Sequence, residues 1–382
     1  MKTVVYVLKS MAMLAGTERV TSIKINWLAS HGYKVVLVTY EQGSHPLAVP
    51  LHPDVTVIDL KVFMYKLSQL PLYLRIIKQY HMKRFLYQRF KDFVNNLHPD
   101  IISTTTYSIG IAKEIFKANQ GAKLIIESHE TCFTEVKEYS YQRHPIMRMV
   151  AKVYDWQNLR YVNRFDALVT LTNGDATEWK KHISTDIKVI PNPLTVFPDI
   201  AEKIEKPLFR ILAVGRLEEV KGFDRLIHAF ALIADKHPEW RIDIFGEGSR
   251  ENELRALTEY YHLANRIGIC SPTKEILSEY QKSDFYVLSS RHEGFGMVII
   301  EAMSCGIPCV SFDCNYGPRE IISDGIDGLL VEDGNIVKLS EAILWMMDHH
   351  NERLQMGRKA RESVKKYQND IIMQKWVSLF SQ

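Results

Sequence analysis

Several features are scarce in this 382-residue sequence, and each scarcity removes a class of answer. Its five cysteines (Cys132, Cys270, Cys305, Cys309, Cys314) form no C-x-x-C pair and sit among apolar residues. That pattern excludes a disulfide framework and a cysteine-held metal site, and leaves reduced thiols in a cytoplasmic protein. Neither sign of charge dominates: 48 Lys and Arg stand against 45 Asp and Glu, a net charge of +3. Bulk charge therefore gives no case for nucleic acid as a partner. No apolar run approaches the roughly 20 residues of a membrane span. The N-terminal run, Val4 to Leu8, stops at Lys9; it is too brief for a signal peptide and suits the first strand of a sheet. No two aspartates lie a single residue apart, and no G-x-G-x-x-G is present, so the dinucleotide fingerprint of dehydrogenases is absent.

What remains is an ordinary globular composition, 46% hydrophobic and 24% charged, at a length that suits two cores rather than one. Apolar strands alternate with helical spacing throughout, which implies an α/β chain with parallel sheets covered on both faces. Strands are expected at Lys34 to Thr39, Val55 to Leu60, Ile101 to Thr104, Lys123 to Glu127, Ala167 to Leu171, Phe209 to Val214, Arg241 to Phe245, Ile267 to Cys270 and Phe285 to Leu288. One helix is expected from Ile109 to Ala118.

The stretch from Ser289 to Val310 organises the rest. The strand Phe285 to Leu288 runs into a loop with Gly294 and Gly296, and Met297, Val298, Ile300, Ala302 and Met303 then read as a buried helix closed by Gly306. Such a loop brings bare backbone close to a ligand, and the helix start offers unpaired N–H groups to an anion. Glu293 and Glu301 bracket it. A second strand–loop–helix, Gly215-Arg216-Leu217-Glu218-Glu219-Val220-Lys221-Gly222, places a guanidinium and an ammonium ahead of a helix, a pair able to neutralise a diphosphate.

Glu293-Gly294-Phe295-Gly296 through Glu301 resembles the E-x7-E signature of retaining glycosyltransferases of family four, which have the GT-B fold: two Rossmann-like domains with parallel sheets facing a central cleft. The Gly215–Gly222 segment resembles the same family's Gly-Arg-Leu-x-x-x-Lys-Gly motif. The resemblance implies that Arg216 and Lys221 stabilise the departing nucleoside diphosphate, and that Gly294, Phe295 and Gly296 cradle it. Glu293 would lie by phosphate and sugar, with Glu301 on the ribose hydroxyls. The Gly246-Glu247-Gly248 turn is similar to one lining the family's donor cleft. In the first half, Ala15-Gly16-Thr17-Glu18-Arg19 resembles the family's Gly-Gly-x-Glu-Arg turn, with Ala15 in place of the first glycine, so Gly16 is implied on the donor. His129, just past the strand Lys123 to Glu127, matches a histidine at the family's reaction centre.

Between Leu60 and Lys91 there is no acidic residue at all. Arg75, Lys78, Lys83 and Arg84 are interleaved there with aromatics. This suits either the anionic inner face of a membrane or the solvated side of a helix packed on the sheet.

The expected organisation is an acceptor-side domain over 1–190, a linker over 191–207, a donor-nucleotide domain over 208–365, and a helix over 366–382 packing back on the first domain. The expected activity is transfer of a hexosyl unit from a nucleotide sugar, a UDP-hexose, to a glycan or lipid-linked acceptor in polysaccharide biosynthesis. The resemblance implies retention of configuration and no cofactor. The missing D-x-D clamp of the other major glycosyltransferase fold matches an expectation of no divalent metal. The alternatives are a sugar-nucleotide epimerase of the same architecture and a non-catalytic carbohydrate-binding protein.

Overall fold

Val4-Val5-Tyr6-Val7 and Val35-Val36-Leu37-Val38 are apolar at every position rather than at alternate ones, as strands covered on both faces must be, and all eight side chains are buried. They form β1 (Thr3–Leu8) and β2 (Lys34–Thr39). Five more strands complete their sheet: β3 (Thr56–Asp59), β4 (Ile101–Thr105), β5 (Lys123–Glu127), β6 (Ala167–Thr170) and β7 (Ile187–Val189). The order is β3-β2-β1-β4-β5-β6-β7, all parallel. The second sheet holds β8 (Phe209–Val214), β9 (Trp240–Phe245), β10 (Ile267–Cys270), β11 (Phe285–Leu288), β12 (Cys309–Phe312) and β13 (Gly328–Val331). Its order is β10-β9-β8-β11-β12-β13, again parallel. In each sheet the winding reverses once, between β1 and β4 and between β8 and β11. Ligands of open α/β sheets are met at the carboxyl ends of such strands.

The computed structural model describes residues 1–13, 16–132, 145–198 and 209–382. Two units result, Met1–Pro193 with Met373–Gln382, and Leu194–Ile372. Of the stretch expected as a linker, residues 199–207 lie outside the described residues, while Leu194 donates to the Tyr367 carbonyl at 2.7 Å and groups with the second unit. The last helix, Asn369–Ser381, lends its final turns to the first unit. There Lys2 and Lys123 donate to the Phe380 and Leu379 carbonyls, both at 2.6 Å. Cations at a helix's unpaired last carbonyls satisfy them and oppose its dipole.

One expected helix divides. Thr106–Ile111 is a 3-10 turn and only Ala112–Ala118 is α-helical, because Gly110 between two β-branched isoleucines disfavours the α conformation. The cysteines are free thiols, four buried and Cys270 half-buried. Burial pushes Cys305 up to about 11 and Cys314 up to about 12, so neither is a nucleophile at neutral pH.

Candidate active site

In the second unit the loops that follow the neighbouring strands β8 and β11 are bound to each other. Arg291 N–H donates to the Val220 carbonyl at 2.8 Å, and Ser289 Oγ donates to the Lys221 carbonyl at 3.1 Å. The Arg291 guanidinium holds Asp224 at 2.9 and 2.7 Å and the Glu219 carbonyl at 2.8 Å. Burial alone would raise the Asp224 carboxyl, but the fork from Arg291 holds it below its ordinary value. Clamped in this way, Lys221 is carried against the glycine turn. Its Nζ lies 2.6 Å from Glu293 Oε1, which also accepts from Ser290 Oγ at 2.8 Å.

The Arg216 side chain is exposed and has no hydrogen-bond or ion-pair partner among the described residues. Leu217, next along, donates to the Glu247 carbonyl at 2.8 Å and joins this loop to the one after β9. Here the backbones approach so closely that a Cβ on Gly246 would fall inside the Gly215 carbonyl oxygen, so only glycine fits. Gly296, with φ 99°, caps the Met297–Ser304 helix in a conformation that side chains other than glycine's rarely adopt. Gly294 is half-buried between Glu293 and Phe295.

Two of the residues assigned to the donor from the sequence have buried side chains. The Phe295 side chain is only 3% exposed and packs edge-on against Tyr367, with centroids 5.5 Å apart. Its ring is core, and only its backbone belongs to the turn. Glu301 is 6% exposed, and its Oε2 accepts from the Tyr280 hydroxyl at 3.5 Å.

In the first unit, His129 follows β5 and its Nε2 stands 3.2 Å from Glu127 Oε2. Behind it lies a charge cluster that the sequence reading missed. The buried Lys24 ammonium pairs with Glu127 and sits over the Trp376 ring at 4.3 Å and the Tyr6 ring at 5.6 Å. Ser103 Oγ donates to Glu127 Oε1 at 2.6 Å. Burial would raise the Glu127 carboxyl, but Lys24 and His129 bring it down to about 2. A signal existed: Lys24 interrupts an apolar helix face and Glu127 ends an apolar strand, and buried charges are seldom unpaired.

Gly16 opens the Gly16–Ser30 helix, exposed, with open space where a Cβ would stand. Ala15 lies outside the described residues. Beyond β1 and β2 a pocket of about 710 Å³ is lined by Lys9, Glu18, Glu41, Gln42, Phe63 and Tyr65, among others. Of the basic set, Arg75, Lys78 and Arg84 are exposed on the Leu72–Leu97 helix. Lys83 is a correction: it is half-buried and donates to the Gly110 carbonyl at 2.5 Å, so it ties the helix inward rather than facing out.

The family description "Glycosyltransferase Family 4" matches residues 14–196, and "Glycosyl transferases group 1" matches residues 198–363. An uncharacterized glycosyltransferase of Haemophilus influenzae is 27% identical over 378 residues, 98% of this chain and 99% of that protein. The amylovoran biosynthesis glycosyltransferase AmsD of Erwinia amylovora is 26% identical over 369 residues, 94% of each. Among solved structures, HepE of Anabaena in complex with UDP superposes with a TM-score of 0.75 at 18% identity, covering 100% of both chains.

Proposed function

The chain belongs to the family-four glycosyltransferases of GT-B fold, and from that premise we propose that it moves a hexosyl unit from a UDP-sugar to a saccharide acceptor with retention and without a divalent ion. Membership in a glycosyltransferase family sets aside the epimerase and non-catalytic readings. The relative AmsD acts in amylovoran biosynthesis and HepE was crystallised with UDP, which favours surface-polysaccharide assembly and a UDP-linked donor. We assign the donor to the second unit, and the acceptor to the first, where the pocket beyond β1 and β2 offers aromatic faces beside carboxylates.

One observation carries the reading: Lys221 and Glu293 at 2.6 Å, held at the winding reversal beside the Gly296 helix start and within a loop's length of the unpaired Arg216. Cleaving the anomeric bond leaves both bonding electrons on the diphosphate oxygen while positive character grows on the sugar ring. Fixed cations and helix N–H groups aimed at the diphosphate lower that barrier without reorganisation. Lys221 and Arg216 supply the charge. Glu293 orients Lys221 and faces the developing ring cation, and Glu301 receives the ribose hydroxyls. The acceptor hydroxyl attacks the face the phosphate leaves, and its proton passes to the phosphate.

The test is UDP release from a panel of UDP-hexoses, with and without saccharide acceptors, followed by proton NMR of the product anomer. Acceptor-dependent release, a retained anomer and full activity in EDTA are expected. Release independent of any acceptor would overturn the transfer, an inverted anomer the retention, and loss in EDTA the metal-free account.

A further inference from the structure

The first unit carries exposed apolar side chains that no chemistry described above uses. On the Leu72–Leu97 helix these are Ile77 (55% exposed), Tyr80 (66%) and Phe85 (42%). On the Pro145–Val162 helix Met149 (65%), Val153 (61%) and Trp156 (63%) recur every three or four residues, a single outward stripe. The two helices flank the short Ala112–Ala118 helix and pack against it, and the inward residues of all three share one core on one face of the sheet. The two stripes therefore look out of a single layer. Lys83, bonded to the Gly110 carbonyl, holds the long helix to the segment beside it.

The exposed charge on this layer is mostly positive, with Asp92 the one exposed acid of the first helix. Arg75, Lys78 and Arg84 rise from the first helix, Lys152 and Arg160 from the second, and all five are exposed. Arg160 lies over the Trp156 ring at 5.7 Å, and Arg89 over Phe85 at 4.4 Å. No acid occurs between Leu60 and Lys91, and the second helix holds only Asp155. Cations flanking exposed tryptophan, tyrosine and aliphatic groups match a surface with anionic heads over an apolar interior. A protein partner complementary to this layer would have to bring acids and a matching apolar relief; an anionic bilayer brings both everywhere. Among the described residues no helix is long and apolar enough to cross a membrane, so contact would be with one leaflet.

We propose that these two helices form a docking face for an anionic lipid surface, with Trp156, Val153, Met149 and Tyr80 entering the headgroup layer and the five cations lying against the lipid charge. The proposal deepens the reading of the protein as a polysaccharide glycosyltransferase, by placing its acceptor at a membrane, but the binding needs no turnover. The test is co-sedimentation of the full chain with vesicles rich in phosphatidylglycerol and with pure phosphatidylcholine vesicles, alongside calorimetric titration of UDP. Wild type is expected on the anionic vesicles, to be released by salt and to bind phosphatidylcholine far less. Lys78→Gln with Arg84→Gln should weaken partitioning on the order of 30-fold, two cations' worth. Met149→Ala with Trp156→Ala should weaken it on the order of 10-fold. Both variants change exposed residues only, so they should melt like wild type and keep UDP affinity. Wild type remaining in the supernatant, variants binding undiminished, or a wild-type dimer broken by Trp156→Ala without vesicle binding would each overturn the proposal. Loss of UDP binding in wild type would strike the donor assignment instead and leave docking standing.

Discussion

Replacing Glu127 by glutamine tests the buried charge cluster behind His129 directly. The substitution keeps shape and hydrogen-bonding capacity but leaves the Lys24 ammonium, 1% exposed, with no counter-charge against the Trp376 and Tyr6 rings. Burial already lowers Lys24 against the pull of Glu127, so the intact pair adds little net stability while its half-removal is costly. Stripping one partner from a buried ion pair costs about 3–5 kcal/mol. In a unit of this size that lowers Tm on the order of 10 °C. Scanning calorimetry near neutral pH, resolving the first unit's transition, measures it. Lys24→Met should cost less, since His129 and Ser103 still hydrogen-bond the carboxylate. The double variant should recover at least half of the Glu127→Gln loss, because the stranded charge is gone. A Glu127→Gln melt within about 2 °C of wild type, or a double variant equal to the sum of the singles, would refute the reasoning.

Acid melting should show the same carboxylate. The folded Glu127 titrates at about 2 against an ordinary 4.5, so its contribution is present above pH 4.5 and is lost as the pH falls toward 2. Asp175 runs the other way: burial raises it from 3.8 to about 6 despite hydrogen bonds from Cys132 N–H and Ser128 Oγ. Its contribution is present below 3.8 and lost as the pH rises through 6, so Asp175→Asn should flatten the stability profile between pH 4 and 6 in calorimetric melts. Lys221→Met should lower kcat on the order of 10²–10³-fold with little change in fold, read as UDP release; an unchanged kcat would remove Lys221 from the mechanism. Gly246→Ala should destabilise the second unit by more than about 2 kcal/mol, since the new Cβ meets the Gly215 carbonyl, and urea unfolding would register it.

The glycine spacings, the apolar runs and the paired motifs after β8 and β11 are local patterns, so the sequence alone determined the α/β class, most strand positions and the Lys221–Glu293 half of the site. What it left open shares one cause. Periodicity says that a residue faces inward or outward but not what it meets there. Phe295 lies between the two glycines of the turn, and tertiary packing set its ring onto Tyr367. Lys83 looked like its basic neighbours until the fold gave it the Gly110 carbonyl. The Lys24–Glu127 pair joins side chains 103 positions apart, and the Met149–Trp156 stripe could have been a buried helix face. Strand order brought the first two together, and the finite area of the sheet left the last uncovered. Such decisions belong to tertiary structure, because a side chain's worth depends on the field and the volume its neighbours leave it, and those neighbours arrive from distant parts of the chain.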